Sequence, residues 1–430
     1  MTDGSDDVLY PNRDGGRGPK GVSRRRLLAG SAAGAAATAG CTGGDSGADS
    51  DGTSENAGDE GAATVFVFNT GDKTVSVVDA ATDELVTTTY LGVTSSFPSN
   101  QYLPDLLTST GEAMWLNVDD GVRAIEASSL SELTSFETGS GANWQEVTPD
   151  GEHLIVSARE PTHKQYRLDA DPTSETFGDV TGEIDRKPEG GRGDNDGPGP
   201  CDVTVHPDGS YAYVPDIYGD SLTVIDVEAF EVVTQVSVPP VGNAAASPWM
   251  ATVAWDGTRL LVENNEGEHG TESIWDVSNP AEPEEVARLT AADGLGKLPL
   301  TSEIGPDSET GYVFTPDSRS VTVIDLVAAE VTDTIDLGGA AFVGTWGPGR
   351  EKLYVPVQTS DELKVIDPDE NAVTATIAVG SEPYGATAGT VRPEGDVAGS
   401  LLATMSTLGV ELSDAGTTYC IGNCACGHRL

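Results

Sequence analysis

Basic residues are scarce in this sequence. Its 430 residues include 23 Lys and Arg against 70 Asp and Glu, which gives a formal net charge of −47. A surface so poor in cations cannot neutralise phosphates, so nucleic acid is excluded as a partner. Self-repulsion at this charge is screened at molar salt, where the Debye length falls to about 3 Å. The composition therefore predicts a folded protein that works at high salt.

Histidine is also rare, and its distribution excludes several kinds of active site. Copper clusters and haem need histidines that converge, whereas the five here are spread along the chain at His153, His163, His206, His269 and His428. The sequence has no glycine-rich phosphate loop, and no Ser/His/Asp order stands out. We therefore expect that the protein is not an enzyme, with catalysis in a central channel as the weakest alternative.

The N-terminal region has only a short apolar stretch, residues 27–40, which is too short to span a bilayer comfortably. A basic region with Arg24 and Arg25 precedes it, which is the layout of a targeting signal. The paired arginines resemble the twin-arginine export signal. Residues 1–41 are thus predicted to direct the protein out of the cytoplasm.

The end of this segment, Thr38-Ala39-Gly40-Cys41, resembles a lipobox, in which the cysteine becomes the lipid-modified first residue. Thr38 departs from the usual aliphatic residue, so ordinary cleavage after an Ala-x-Ala site is the alternative. Two lipid chains on Cys41 would hold the protein at a membrane surface. The acidic, low-complexity residues 42–63 are predicted to form a flexible linker.

One pattern recurs from residue 64 onward: a Val/Ile-rich strand that ends in an acidic residue, followed by a turn and a Val/Thr-rich strand. Consecutive acidic residues are 42 to 57 positions apart, a period that matches one four-stranded propeller blade. The acidic side chain can accept hydrogen bonds from backbone N–H groups of the turn. The seven positions are Asp79, Glu126, Asp169, Asp226, Asp276, Asp325 and Asp367.

Several repeats share two further markers, a Pro-Asp-Gly hairpin such as residues 207–209 and a Tyr-Val-Pro strand such as residues 213–215. With the Val-Ile-Asp ending at Asp226, these residues resemble the YVTN-type β-propeller repeat family, over residues 64–395 and most strongly in repeats four, six and seven. The acidic composition resembles that of haloarchaeal proteins. The family resemblance implies an all-β fold, a seven-bladed β-propeller.

The two ends of the repeat region predict how the ring closes. The first repeat begins directly at residues 65–68 and lacks a strand with the Pro-Asp-Gly hairpin, whereas the last repeat overruns into residues 383–387. Pairing the surplus strand with the first repeat would remove two exposed sheet edges. Residues 396–430 then form a C-terminal extension outside the ring.

The extension ends in a candidate metal site, Cys420, Cys424, Cys426 and His428. Thiolates with one imidazole favour copper(I) or zinc, although the spacing is not a common zinc pattern. Disulfide formation among these cysteines and Cys201 is the alternative outside the cell.

Two other features carry weaker hypotheses. The insertion over residues 188–200 is rich in Gly and Asp, and alternate oxygen ligands there could hold calcium, although a solvated loop is favoured. Aromatic side chains near the hairpins could stack on a ligand or simply pack between blades: Trp144, Trp249, Trp255 and Trp346.

Together these features predict an exported, lipid-anchored, monomeric propeller at the outer face of the cytoplasmic membrane or cell surface. It is expected to act as a binding or scaffold module for a protein or small-molecule ligand, since fold alone does not fix function. The alternative is a metal-handling or electron-transfer protein that uses the cysteine-rich tail.

Measuring export of arginine variants tests the predicted twin-arginine signal directly. Changing Arg24 and Arg25 together to lysine keeps the charge but removes the paired guanidinium groups, so the precursor should accumulate in the cytoplasm. Arg26→Lys is the matched control and should be exported normally. Cell fractionation measures the outcome, and undiminished export of the double variant would exclude the twin-arginine route.

Overall fold

A computed structural model describes residues 62–93, 95, 98, 113–395 and 397–409. Almost every element in these residues is a short antiparallel strand, as the alternating apolar pattern predicts. The strands in chain order are β1 (Thr64–Asn69), β2 (Thr74–Asp79), β3 (Glu84–Tyr90), β4 (Ala113–Val118), β5 (Gly121–Glu126), β6 (Glu132–Glu137), β7 (Ala142–Val147), β8 (His153–Ala158), β9 (Lys164–Asp169), β10 (Val180–Asp185), β11 (Thr204–Val205), β12 (Tyr211–Asp216), β13 (Ser221–Asp226), β14 (Glu231–Ser237), β15 (Pro248–Val253), β16 (Arg259–Asn264), β17 (Thr271–Asp276), β18 (Glu284–Leu289), β19 (Thr301–Ile304), β20 (Thr310–Thr315), β21 (Ser320–Asp325), β22 (Glu330–Asp336), β23 (Thr345–Trp346), β24 (Leu353–Val357), β25 (Glu362–Asp367), β26 (Ala372–Ala378) and β27 (Pro383–Gly389).

These strands form seven sheets, which are the seven blades of a β-propeller, so the predicted fold class is confirmed. Blade one is ordered β27-β1-β2-β3, and the described part of blade two is β4-β5-β6. Blades three to seven each take four consecutive strands, from β7–β10 to β23–β26.

The predicted closure of the ring is also confirmed. β27, from the C-terminal end, pairs antiparallel with β1, from Thr64 opposite Gly389 to Asn69 opposite Pro383. Backbone N–H groups of the turn after β1 donate to Ser381 and Glu382 at 3.0 Å, which continues the junction beyond the strands. Blade one is thus built from both ends of the repeat region.

The acidic residue of each repeat ends the third strand of its blade and orders the turn that follows. The Asp79 carboxylate accepts a hydrogen bond from the Ala81 N–H at 2.9 Å, and Asp325 accepts one from Val327 at 2.8 Å. Equivalent bonds are present after Asp226 and Asp367. The hairpin role predicted for these residues is therefore confirmed.

The Pro-Asp-Gly hairpins need a left-handed backbone conformation at their third residue. Gly151 and Gly209 both have φ of 76°, which a residue without a Cβ adopts at little cost. Ser308 occupies the same place in blade six with φ of 59°, so this conformation is retained where the sequence departs from glycine.

Packing between neighbouring blades forms most of the core. One cluster joins β12 and β13 of blade four to β16 and β17 of blade five, and others join blades five to six and six to seven. The fourth strand of each blade is largely exposed, as the pattern of β14 illustrates. Each blade therefore depends on both of its neighbours to bury its two faces.

A single α-helix lies in the described residues, α1 (Val397–Thr407), just after the ring closes. It packs against β3, and the Thr407 hydroxyl donates to the Asp72 carboxylate at 3.1 Å. Within the part of the chain that the structure describes, no helix has the length and apolar character needed to cross a membrane.

Closure can be tested by truncation. Ending the chain after Gly380 removes β27, including the buried Tyr384, and leaves β1 as an unpaired edge. Losing one buried aromatic side chain costs about 3–5 kcal/mol, so we expect Tm to fall by about 10 °C or more, with aggregation. Ending the chain after Gly395 is the control, since it removes α1 but keeps β27. Equal melting temperatures for the two truncated proteins would contradict a closing role for β27.

Candidate functional site

Most residues that the sequence nominated for export, anchoring or metal binding lie outside the described residues, so these three assignments stay predictions. They are Arg24, Arg25, Cys41, Cys420, Cys424, Cys426 and His428. Cys201, the cysteine within the described part of the chain, is buried next to Asn143 and Arg159. Its Sγ accepts hydrogen bonds from Asn143 Nδ2 at 3.1 Å and Arg159 Nη1 at 3.4 Å.

The described histidines serve local structure. The buried His163 accepts a hydrogen bond from the Gly199 N–H at 3.2 Å through Nδ1, and burial lowers the pKa of its imidazole. His206 Nε2 lies 3.1 Å from the Gly257 carbonyl in the next blade, and His269 contacts a carbonyl of the loop after its blade. Within the described residues, no group of three or more His, Cys, Asp or Glu forms a metal-ligand set.

The Gly/Asp-rich insertion uses its charged side chains in ion pairs. Asp196 lies 3.1 Å from both Lys187 Nζ and His163 Nε2, and Arg192 lies 2.6 Å from the Asp220 carboxylate. Lys187 and His163 therefore contact the Asp196 carboxylate, which the calcium hypothesis required as a ligand.

The four nominated tryptophans are packing residues. Trp144 and Trp249 are buried at the centre of the ring, and Trp346 is buried between blades six and seven. Trp255 is half-buried, and the Arg350 guanidinium lies 3.8 Å from the centre of its ring. Blade packing, the simpler of the two hypotheses, accounts for all four.

The inner strands carry a feature that the sequence reasoning missed. The first strand of each blade surrounds the central channel of a propeller. We compared the inner-strand residue that pairs with the same position of the second strand in each blade. In all six blades whose inner strand is described, this residue is a buried Glu or Thr. This polar layer consists of Glu146, Thr204, Thr252, Glu303, Thr345 and Thr387.

Members of the polar layer reach toward the inner strand of the next blade. The Thr252 hydroxyl donates to the Ser302 carbonyl at 2.9 Å, and Glu146 Oε2 accepts a hydrogen bond from the Val205 N–H at 3.3 Å. Glu303 differs, because neither of its carboxylate oxygens has a hydrogen-bond partner among the described residues although the side chain is fully buried.

Glu146 and Glu303 interact across the channel. They belong to blades three and six, the widest separation in a ring of seven, yet the negative charge on Glu146 raises the pKa of Glu303 further than burial alone. Burial, and then the charge on Asp202, raise the pKa of Glu146 well above its usual range. Among the described residues, no lysine or arginine contributes to either shift, so the two carboxyls have no counter-charge in that part of the chain.

An apolar layer covers one side of the polar layer. Its residues precede those of the polar layer by two or three positions, on the inner strand or just before it, and belong to one buried cluster: Trp144, Cys201, Trp249, Leu300, Phe342 and Tyr384. The rings of Phe342 and Tyr384 stack with centroids 4.7 Å apart and planes 10° apart. Within the described residues, the channel thus combines aromatic faces with two unneutralised carboxyls.

This arrangement can bind positive charge. Aromatic faces attract cations through their quadrupole, and a carboxylate in a low-dielectric site attracts them more strongly than in water. In the absence of a cation, each carboxyl avoids the cost of burying a charge by keeping its proton. Sequence reasoning missed the site because Glu146 and Glu303 sit in otherwise ordinary strands; aligning the repeats by their hairpins would have found them.

Neither a family model nor a curated protein matches this chain. The YVTN-type assignment therefore remains a resemblance in the repeat residues.

Solved structures match it closely in fold and weakly in sequence. A periplasmic gluconolactonase of Pseudomonas aeruginosa has a TM-score of 0.58 at 15% identity, over 76% of this chain and 99% of that one. A protein of Lactobacillus plantarum has a TM-score of 0.60 at 13% identity, over 76% and 99%. Hydrazine synthase of Kuenenia stuttgartiensis has a TM-score of 0.55 at 16% identity, over 74% and 99%. Since these proteins differ in function, the likeness establishes a propeller fold and no particular activity.

Proposed function

We propose that this protein is an exported, lipid-anchored binding propeller whose central channel takes a small cationic ligand. The observation that carries the proposal is the pair Glu146 and Glu303, two buried carboxyls that interact across the channel with no cationic side chain of the described residues beside them. Export and anchoring rest on Arg24, Arg25 and Cys41 in the sequence.

The ligand class follows from the chemistry of the two layers. A cation that enters the channel displaces the proton from one carboxyl and neutralises the carboxylate that this leaves. No other group in the described channel can supply that positive charge. The hydroxyls of Thr204, Thr252 and Thr345 supply oxygen atoms at the same level. Inorganic cations such as calcium and organic ammonium ions share this chemistry, and the aromatic layer favours an organic ammonium ion.

Calorimetry on the purified mature protein tests the proposal, with calcium chloride and choline chloride as separate probes. Binding should release protons, because carboxyls with raised pKa values are protonated in the empty channel and ionise when the cation enters. The measured heat should therefore depend on the ionisation enthalpy of the buffer. Affinity should increase with pH.

The variants Glu303→Gln and Glu146→Gln should each weaken binding by about tenfold to a hundredfold, the worth of one charge-assisted contact. Glu370→Gln, an exposed glutamate in a turn of blade seven, is the matched control and should bind as the parent protein does. The proposal fails if neither probe binds, or if both channel variants bind with unchanged affinity.

Hydrolysis of a sugar lactone is a second candidate, which the same carboxyls favour. A buried carboxyl such as Glu146, whose pKa is raised well above its usual range, can act as a general acid or base, and one structural neighbour is a gluconolactonase. If this candidate is correct, the protein should hydrolyse gluconolactone faster than buffer alone, and Glu146→Gln should lower kcat by at least about a hundredfold. Hydrolysis at the buffer rate would leave binding as the function of the channel.

A further inference from the structure

A second pair of buried carboxyls lies on the two middle strands of blade five. Glu263 on β16 and Glu272 on β17 are directly opposite each other in the antiparallel register. The same register position in the other blades holds apolar or neutral pairs: Phe68 and Val75, Asn117 and Val122, Ser157 and Gln165, Pro215 and Leu222, Phe314 and Val321, Pro356 and Leu363. Blade five alone places two acids there.

The pair faces blade six. Leu261 and Ile274, the next pair on the same face, pack in one cluster with Ile304 of blade six. Both glutamates are 0% exposed, and neither carboxylate oxygen of Glu272 has a hydrogen-bond partner among the described residues. The Ser302 hydroxyl acts on Glu263 by hydrogen bonding and lowers its pKa, but it carries no charge. An ionised carboxylate can only accept hydrogen bonds, so two ionised groups here could neither bond to each other nor reach water.

Few other charged groups face the pair. Asp202, from the segment before β11, interacts with Glu263, and the Ser302 hydroxyl of β19 lies on the blade six side. Arg288 on β18 lowers the pKa of Glu272 through its charge, and its guanidinium is paired with Glu285 at 2.7 Å and Glu266 at 3.4 Å.

Burial raises the pKa of Glu263 to about 7. Burial, and then the charge on Glu263, raise the pKa of Glu272 well above its usual range, and the charge on Arg288 partly offsets that shift. Two carboxyls that share a site cannot both ionise cheaply.

We propose that Glu263 and Glu272 form a proton-sharing carboxylic acid–carboxylate pair that holds the interface between blades five and six closed. One proton makes one carboxyl a donor, so that it can bond to the other, and leaves at most one buried negative charge. Loss of this proton leaves two unpaired charges between the blades, which favours separation of their faces. The interface is therefore a pH-sensitive element of the ring.

The direction of the pH effect follows from linkage. In the unfolded chain both glutamates have a pKa near 4.3, below their values in the folded protein. Between the unfolded and folded values the folded state binds more protons, so the pair's contribution to stability is full at low pH. It falls as Glu263 ionises at about pH 7, which leaves the one shared proton on Glu272, and it is lost when that proton leaves at higher pH.

Thermal unfolding at constant high salt tests the proposal, with the variant Glu263→Gln/Glu272→Gln. Between about pH 5.5 and about pH 8.5 the parent should lose about 5 °C more in Tm than the variant does. Infrared difference spectra at neutral pH should lose one protonated-carboxyl C=O band in the variant, which a merely structural role would not change. Glu284→Gln, exposed on β18 of the same blade, is the matched control and should behave as the parent in both measurements.

If the amide variant does not fold, Glu263→Phe/Glu272→Val can be used instead. Phe and Val are the residues that blade six has at this position, Phe314 and Val321. It should fold at high pH at least as stably as the parent does. The proposal is overturned if the protonated-carboxyl band is unchanged in the variants. It is also overturned if calcium abolishes the pH dependence of the Glu146→Gln/Glu303→Gln protein, which lacks the channel carboxyls, because a metal ion in blade five would then be the counter-charge.

Discussion

The antiparallel pairing of β27 with β1 is the interaction on which the rest of the structure depends. Each blade buries its two faces against its neighbours, so an open ring would expose a face at each end as well as the edge of β1. The same strand contributes Tyr384 to the apolar layer of the channel and Thr387 to the polar layer. Closure therefore completes the candidate binding site as well as the fold.

The scarcity of basic residues determines what happens to acids that the closed ring buries. Exposed carboxylates cost little at high salt, because ions screen their repulsion, but screening does not reach the interior. Among the described residues the buried arginines are already paired: Arg186 with Asp216 at 3.0 Å, and Arg159 with Glu160 at 2.7 Å. Acids such as Glu303 must then keep a proton or bind a cation from outside the chain.

Sequence reasoning predicted the fold well because a propeller repeats its local signals. The acid that ends each third strand and the missing first strand of repeat one were enough to give seven blades and the closing pair. The candidate site was not predictable in the same way. Glu263 and Glu303 look like solvent-facing residues of alternating strands, and only the ring geometry, which stacks blade on blade, makes both positions interior. The composition gave no signal for these two glutamates either, because acidic residues are abundant throughout the chain.

The two carboxyl sites are electrostatically connected, since Asp202 interacts with both Glu263 and Glu146. Asp202 remains satisfied by backbone donors, with the N–H groups of Val203 and Ala251 at 2.6 and 2.7 Å. Under the proposed function, a monovalent cation that displaced one proton in the channel would leave the net charge there unchanged. Asp202 and Glu263 then experience the same potential as before, so ligand exchange in the channel leaves the proton in blade five in place. A divalent cation that displaces one proton adds a positive charge instead, which lowers the pKa of both neighbours and weakens proton retention between the blades. By reciprocity, a protein that has lost the proton in blade five binds the divalent ion more tightly.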